Sequence, residues 1–290
     1  MPGKRFVIGL CASVALLTAA CVPSEADVEE VVAYDRDTTM GRLQRDGAVT
    51  IALPDDLGPF ASIDENGEAE GFVADLAAEI VAALGVDAEY VAASGEDALE
   101  LVKDGEVDLA FPTLGITESL ARQNTLSAPY WVAHKRLLVP ISSDLRTAAD
   151  LGGRAVCQYE EERTRIDIAD LVPDADVMDV SDIAECARAL QNQSEAATAP
   201  DVYLMALASL LGTYEIRGEQ LSSSGYGAAL PESATDMRTF VNTVLSDVKS
   251  EGRWLEYYEK WLAPVADREE VNAPDLTLEE AATLWPNDLK

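Results

Sequence analysis

Apolar residues along this chain follow two alternating rhythms. Short runs at Val49–Leu53, Ala88–Val91 and Val107–Phe111 read as buried strands. Between them, Leu76, Ile80, Val81 and Leu84 recur at helical spacing within Val73–Leu84, and Glu96–Lys103 predicts the next helix. Strand–helix alternation of this kind argues for right-handed βαβ units around a largely parallel sheet. Arg136–Ile141 is a further strand. Beyond it the pattern predicts strands at Ala155–Gln158, Val177–Val180 and Asp201–Leu204, with helices at Ile183–Gln191 and Leu204–Gly212. Ser222-Ser223-Ser224-Gly225 reads as a turn. Two amphipathic helices follow, Met237–Val248 and Trp254–Leu262. In the second, Trp254, Tyr257, Tyr258 and Trp261 fall at i, i+3, i+4 and i+7, which is the spacing of a packed core stripe more than of a sugar platform.

One segment carries more than periodicity. Asp104 to Tyr130 reads DGEVDLAFPTLGITESLARQNTLSAPY, with Gly105 as a turn, Val107–Phe111 as a strand and Thr117 placed as a helix N-cap. It resembles the type 3 extracellular solute-binding proteins, the receptors of polar amino-acid ABC importers, whose version runs "G-x-V-D-x-x-x-x-x-x-x-I-T-x-x-R … F-S-x-P-Y". Met40–Leu53, Gly58-Pro59-Phe60, Asp64–Gly67, Gly71–Leu76, Tyr226–Pro231, Phe240–Asn242, and Gly252-Arg253-Trp254 with Lys260-Trp261-Leu262 are similar to other family landmarks, in the family's order. The resemblance implies an α/β, two-lobed periplasmic-binding-protein-like fold of type II, each lobe a mostly parallel sheet flanked by helices. Lobe 1 would take residues 42–140 and 226–265, lobe 2 residues 141–225, with Arg136–Ile141 crossing the hinge. Residues 266–290 would extend beyond the family's usual end.

The N-terminus changes the setting. Lys4 and Arg5 precede an apolar run, Phe6–Leu17, too short for a permanent span, and Thr18-Ala19-Ala20 leads to Cys21. This resembles a lipoprotein signal over residues 1–20, although Thr18 stands where leucine is favoured. Cys21 would then be lipidated and would hold the protein on the outer face of the cell membrane; ordinary cleavage with an incidental cysteine is the alternative. Residues 21–41 read as an acidic tether. With Cys11 lost in the leader, Cys157 and Cys186 remain for the folded part. In an oxidising compartment they most simply pair, two buried free thiols being the other reading, and the resemblance also implies this bridge.

Charge and missing motifs exclude other classes. Lys and Arg number 21 against 53 Asp and Glu, a net charge of −32, which makes nucleic acid an implausible partner. The acidic residues are scattered, as in a solvated coat. With His134 as the one histidine, no His-based triad or His-rich metal site can be assembled, and no P-loop, dinucleotide fingerprint, CxxC or HExxH occurs. No cofactor is expected, and the chain does not read as an enzyme.

The resemblance implies a cleft between the lobes and names its anchors. Where the family carries the arginine that clamps a ligand carboxylate, this chain has Leu120; Arg122, two positions on, should face away. The Gly-Ser-Thr helix start of the second lobe is replaced by Glu160-Glu161-Glu162-Arg163. The aspartate that receives the ligand's amino group aligns with Pro200, one residue before Asp201, and Leu57 replaces a stacking tyrosine. The expected contacts are Thr113, Gly115, Tyr159, Glu160 and Asp201, with Phe60 and Phe111 as apolar walls. The sequence therefore reads as a monomeric, lipid-anchored receptor closing on a small polar ligand, neutral or cationic rather than an ordinary α-amino acid, and serving an ABC permease. An accessory lipoprotein with a degenerate cleft is the alternative, and a dehydratase-like enzyme on the same fold a third.

Overall fold

The computed structural model describes residues 32–159, 166–266 and 271–285. Helix α1 (Thr39–Asp46) starts where the Thr38 hydroxyl accepts from the Gly41 amide. Strand β1 (Ala48–Leu53) leads into a hairpin of β2 (Ser62–Ile63) and β3 (Ala69–Glu70), then helix α2 (Phe72–Leu84). Phe72, Val73, Leu76, Ile80 and Leu84 give α2 its buried face, and Gly85 ends it in the left-handed conformation at φ 67°. Strand β4 (Asp87–Ala92), helix α3 (Gly95–Asp104), strand β5 (Leu109–Ala110) and helix α4 (Glu118–Gln123) complete the first series. Thr117 caps α4 by accepting from the Leu120 amide, as the sequence predicts.

A long strand, β6 (Thr125–Pro140), then leaves this series for a second one. That series holds β7 (Ala155–Tyr159), α5 (Ile168–Leu171), β8 (Asp176–Val180), α6 (Ile183–Asn192), β9 (Ala196–Pro200) and α7 (Asp201–Leu211). Another long strand, β10 (Tyr214–Leu230), returns to α8 (Thr235–Ser250), α9 (Arg253–Trp261) and α10 (Leu278–Leu284). The strands form a single eight-stranded sheet in the order β4-β1-β5-β10-β6-β9-β7-β8. β1 runs parallel to β4 and β5, and β7 runs parallel to β8 and β9. Only the antiparallel pair β6–β10 belongs to both sets, so the α/β, two-lobed expectation holds and these two strands are the covalent crossing. The crossing is uneven: from Arg217↔Leu137 to Ser222↔Lys135, β10 advances five residues while β6 advances two.

Three local expectations differ from the structure. Asp201–Leu204 is the first turn of α7, not a strand. The strand lies just before it in Ala196–Pro200, a run of small residues with neither bulk nor alternation to betray it. Ser222–Gly225 is not a turn; it pairs with Val132–Lys135 inside β10, where ladder bonds from β6 override serine's turn preference. The strand predicted at Arg136–Ile141 is the last third of a longer strand, β6, which begins at Thr125 and ends at Pro140.

Cys157 on β7 and Cys186 on α6, both fully buried, are joined by a disulfide with Cα atoms 5.5 Å apart. Of the aromatic stripe on α9, Trp254 and Tyr258 are buried; Tyr257 and Trp261 are half-buried and bond Glu79 and Asp75 of α2. Beyond Ala266, α10 begins at a capping box between Thr277 and Glu280 and lays Ala281 and Leu278 against the cluster of Leu114, Ile116, Leu120 and Leu126. Trp285 then covers Gly225 of β10 so closely that a Cβ there would stand 2.6 Å from its ring. Among the described residues no helix is long and apolar enough to cross a membrane. Cys21, the leader and Glu160 to Arg163 lie outside the described residues.

Candidate binding cleft and hinge cavity

The carboxyl ends of β1 and β5 face those of β7 and β9, the place where an open α/β sheet collects ligands. Here the two sides are in contact. Thr113, fully buried after β5, shares a 2.9 Å hydrogen bond with the Tyr203 hydroxyl on α7. Tyr159, at the end of β7, packs its ring on Tyr203 with centroids 4.6 Å apart. A methyl added at Gly58 would stand 3.8 Å from the Ala206 Cα, so the loop after β1 also lies on α7. One apolar cluster accordingly runs through both lobes, from Phe60 and Phe111 to Cys157, Val202 and Leu204.

The expected contact residues separate into three groups. Thr113 and Tyr159 come together on Tyr203 at the lobe boundary, and Asp201, on the same helix, lies instead against β6. Phe60 and Phe111 are fully buried: Phe60 packs on Phe72 and Trp131 with centroids 5.9 and 5.7 Å away, and Phe111 meets Tyr130 edge-on at 5.3 Å. Gly115 forms a bridge with Tyr226, and the next amide, Ile116, donates to the Gly225 carbonyl at 2.8 Å, tying that loop to β10. Leu120, 1% exposed, belongs to the cluster under α10. Arg122 faces solvent as expected and pairs with Glu118 on its own helix.

Asp201 is the first residue of α7 and is brought beside β6 because β9 pairs with β6 at Lys135↔Pro200. Its carboxylate accepts from the Trp131 indole N–H at 3.4 Å and from the backbone amide of His134. Burial nevertheless pushes its pKa up to about 7, against these bonds and against the nearby charge of Arg136. Asp201 and Arg136 line a cavity of about 130 Å³ between the lobes. Trp131, Trp254, Tyr258 and Met205 supply its apolar walls, and Gln220 and Asn272, both exposed, stand at its rim. Tyr203 and Arg136 were not singled out from the sequence. Arg136 had a signal, because a basic pair (Lys135-Arg136) opens an otherwise apolar run and both side chains are buried. Tyr203 had none, since its role depends on how the lobes meet.

Residues 49–264 match the family described as bacterial extracellular solute-binding proteins, family 3. The chain belongs to this family. Among relatives of this family 3 protein, the ABC transporter glutamine-binding protein GlnH of Bacillus subtilis (strain 168) is 24% identical over 265 residues, covering 89% of this chain and 97% of the relative. The L-cystine-binding protein TcyJ of Escherichia coli (strain K12) is 22% identical, covering 89% and 95%. A crystal structure of a mutant ArgBP from T. maritima superposes with a TM-score of 0.62 at 27% identity, covering 77% of this chain and 99% of that one. The ancestral amino-acid-binding protein AncCDT-1, described as a precursor of cyclohexadienyl dehydratase, shares the fold at a TM-score of 0.64 and 22% identity. At position 120 this family 3 chain has an apolar side chain sunk in a hydrophobic cluster.

Proposed function

We propose that this chain is an extracellular receptor that captures a small, polar, amino-acid-like solute between its lobes and presents the closed form to an ABC permease. The single observation that carries this reading is the match of residues 49–264, which spans both lobes and both crossing strands. Relatives named for glutamine, cystine and arginine support the amino-acid-like class. Lobe 1 comprises 42–140 and 226–265, and lobe 2 comprises 141–225. The protein acts as a monomer, held to the outer face of the membrane by a lipid on Cys21. Changing Cys21 to Ala should release it from the membrane fraction; unchanged fractionation would overturn the anchor.

The ligand is neutral or cationic rather than an ordinary α-amino acid held in the usual way. A carboxylate in a closed cleft needs charge-assisted partners, and losing one costs several kcal/mol. Leu120 offers none and is buried among Leu114, Ile116 and Leu126. Thr113, Tyr159, Glu160 and Asp201 remain the polar contacts of this reading. Calorimetry with glutamate, aspartate and glutamine tests it: micromolar binding of any of them in the cleft would refute the exclusion.

The Thr113–Tyr203 bond favours a second reading, an accessory lipoprotein whose cleft is closed by its own side chains. A thermal-shift screen against amino acids, polyamines and betaines separates the two. A ligand at 100 times its Kd should add roughly 2.7 kcal/mol of stability. Stabilisation by no compound in the panel would favour the accessory role, and product formation in the same wells would favour an enzyme.

A further inference from the structure

Residues 271–285 follow the family match, which ends at 264, and they fasten to the rest of the molecule at three places. At the start, Val271 and Asn272 line the hinge cavity together with Met205 on α7 of lobe 2 and Trp254 and Tyr258 on α9 of lobe 1. That cavity is about 130 Å³. An engineered cavity of ~150 Å³ admits benzene, so these walls stand about one ring apart. In the middle, Asp275 lies near Lys249 on α8, whose half-buried ammonium donates to the Pro129 carbonyl of β6 at 2.7 Å. Burial lowers the Lys249 pKa to about 8, and the charge of Asp275 acts the other way, favouring the ammonium. At the far end, Leu278 and Ala281 of α10 enter the cluster of Leu114, Ile116, Leu120 and Leu126, and Trp285 and Pro129 meet over Gly225 of β10. Between these fastenings the segment stands off α8, above a cavity of about 590 Å³ that Asn242, Leu245 and Ser246 line from the other side.

We propose that residues 271–285 are a strap that braces the hinge and holds the two lobes in the closed arrangement. Only the first fastening joins walls of both lobes, and it exists only while α7 and α9 lie close together. Contacts made in one arrangement and lost in another shift the population toward the first. The other two fastenings keep the start of the strap at the cavity, because α10 is seated on β6, β10 and α4. The contact that such a brace preserves is the one across the cleft, where Thr113 meets Tyr203. The hollow beneath the middle gives the strap a second property. A segment with few buried contacts opens locally at low cost, so this one can lift from α8 while the lobes stay folded. The brace is a property of the hinge without solute, so it stands apart from the receptor reading and from any choice of ligand.

Small-angle scattering and hydrogen exchange on the full chain, with no solute added, test the proposal. Val271→Gly combined with Asn272→Gly removes the side chains at the cavity and leaves α10 on its seat. The double variant should keep its far-UV circular dichroism and show a larger radius of gyration than wild type. Amides around Thr113 and Tyr203 should exchange about tenfold faster, with those of β1 and α2 unchanged. Trp285→Ala loosens the far end without touching the cavity and should open the lobes in the same direction. A radius unchanged in the double variant would overturn the brace. So would exchange accelerated evenly through the whole protein, which would mark the segment as ordinary packing. Should the double variant not fold, Trp285→Ala carries the test with the same outcomes.

Discussion

Replacing Asp201 with Asn should change how stability depends on pH, and the size of the change follows from its surroundings. Burial raises the carboxyl from 3.8 to about 7 in the folded protein. The folded state therefore holds a proton that the unfolded chain has already released between those two values. Stability from this group is complete below the unfolded pKa and is lost as pH rises through 7. At 1.36 kcal/mol per unit the total is about 4 kcal/mol, of which about 3 kcal/mol is lost between roughly pH 5 and roughly pH 8.5. Asn keeps an oxygen to accept from the Trp131 indole but does not titrate. His134 and Arg136 face the same site and are present in both proteins. Urea unfolding of ligand-free wild type and Asp201→Asn across this range should give curves that diverge, the variant gaining about 3 kcal/mol relative to wild type at the alkaline end. Parallel curves would show that the carboxylate is solvated and that the hinge cavity is wetter than its walls imply.

Other outcomes follow from the packing. Reducing the Cys157–Cys186 bridge opens a loop with a sequence separation of 29 and should cost about 3.5 kcal/mol, read as a lower urea midpoint, with accelerated hydrogen exchange concentrated in β7 and α6. Gly225→Ala places a Cβ 2.6 Å from the Trp285 ring and 3.1 Å from Pro129 Cγ, so it should displace α10, detected as increased Trp285 solvent quenching and a Tm several degrees lower. Leu120→Arg, the residue that the resemblance expects, should destabilise by at least 3 kcal/mol (an order-of-magnitude figure for a buried unpaired charge) without creating glutamate binding, because position 120 points into the cluster beneath α10.

What could be read from the chain, and what could not, divides along physical lines. α2 and α9 were legible because their apolar residues obey a helical period. The disulfide was legible from chemistry, since Cys157 and Cys186 are the two cysteines beyond the expected leader and tether and most simply pair with each other. β9 was not, because Ala196-Ala197-Thr198-Ala199-Pro200 carries no period at all; its identity as a strand comes from β6 on one side and β7 on the other. α10 was not read from the sequence, and its partner face, the cluster around Leu120, assembles from residues far apart in the chain. Among the site residues, Thr113 and Asp201 fall at strand ends that the fold class alone positions. Their partners Tyr203 and Trp131 depend on how two lobes meet, which no local pattern encodes.

The unequal crossing strands give the molecule a mechanical bias. β6 gains only single residues, opposite Tyr226–Gly227 and Gly227–Ala229, whereas β10 carries a surplus of three around Gly218, which adopts φ 82° with its Cβ direction 3.1 Å from the Arg146 carbonyl. A bending sheet can pay out length only where it has some in reserve. On closure the strand with less reserve should act as the pivot and the slack one as the element that lengthens, so that one lobe should swing over the other about a single axis instead of sliding or rolling. Removing Gly218 to Gln220 would make both strands taut, and the receptor would become a rigid bracket with its two halves held at one fixed angle.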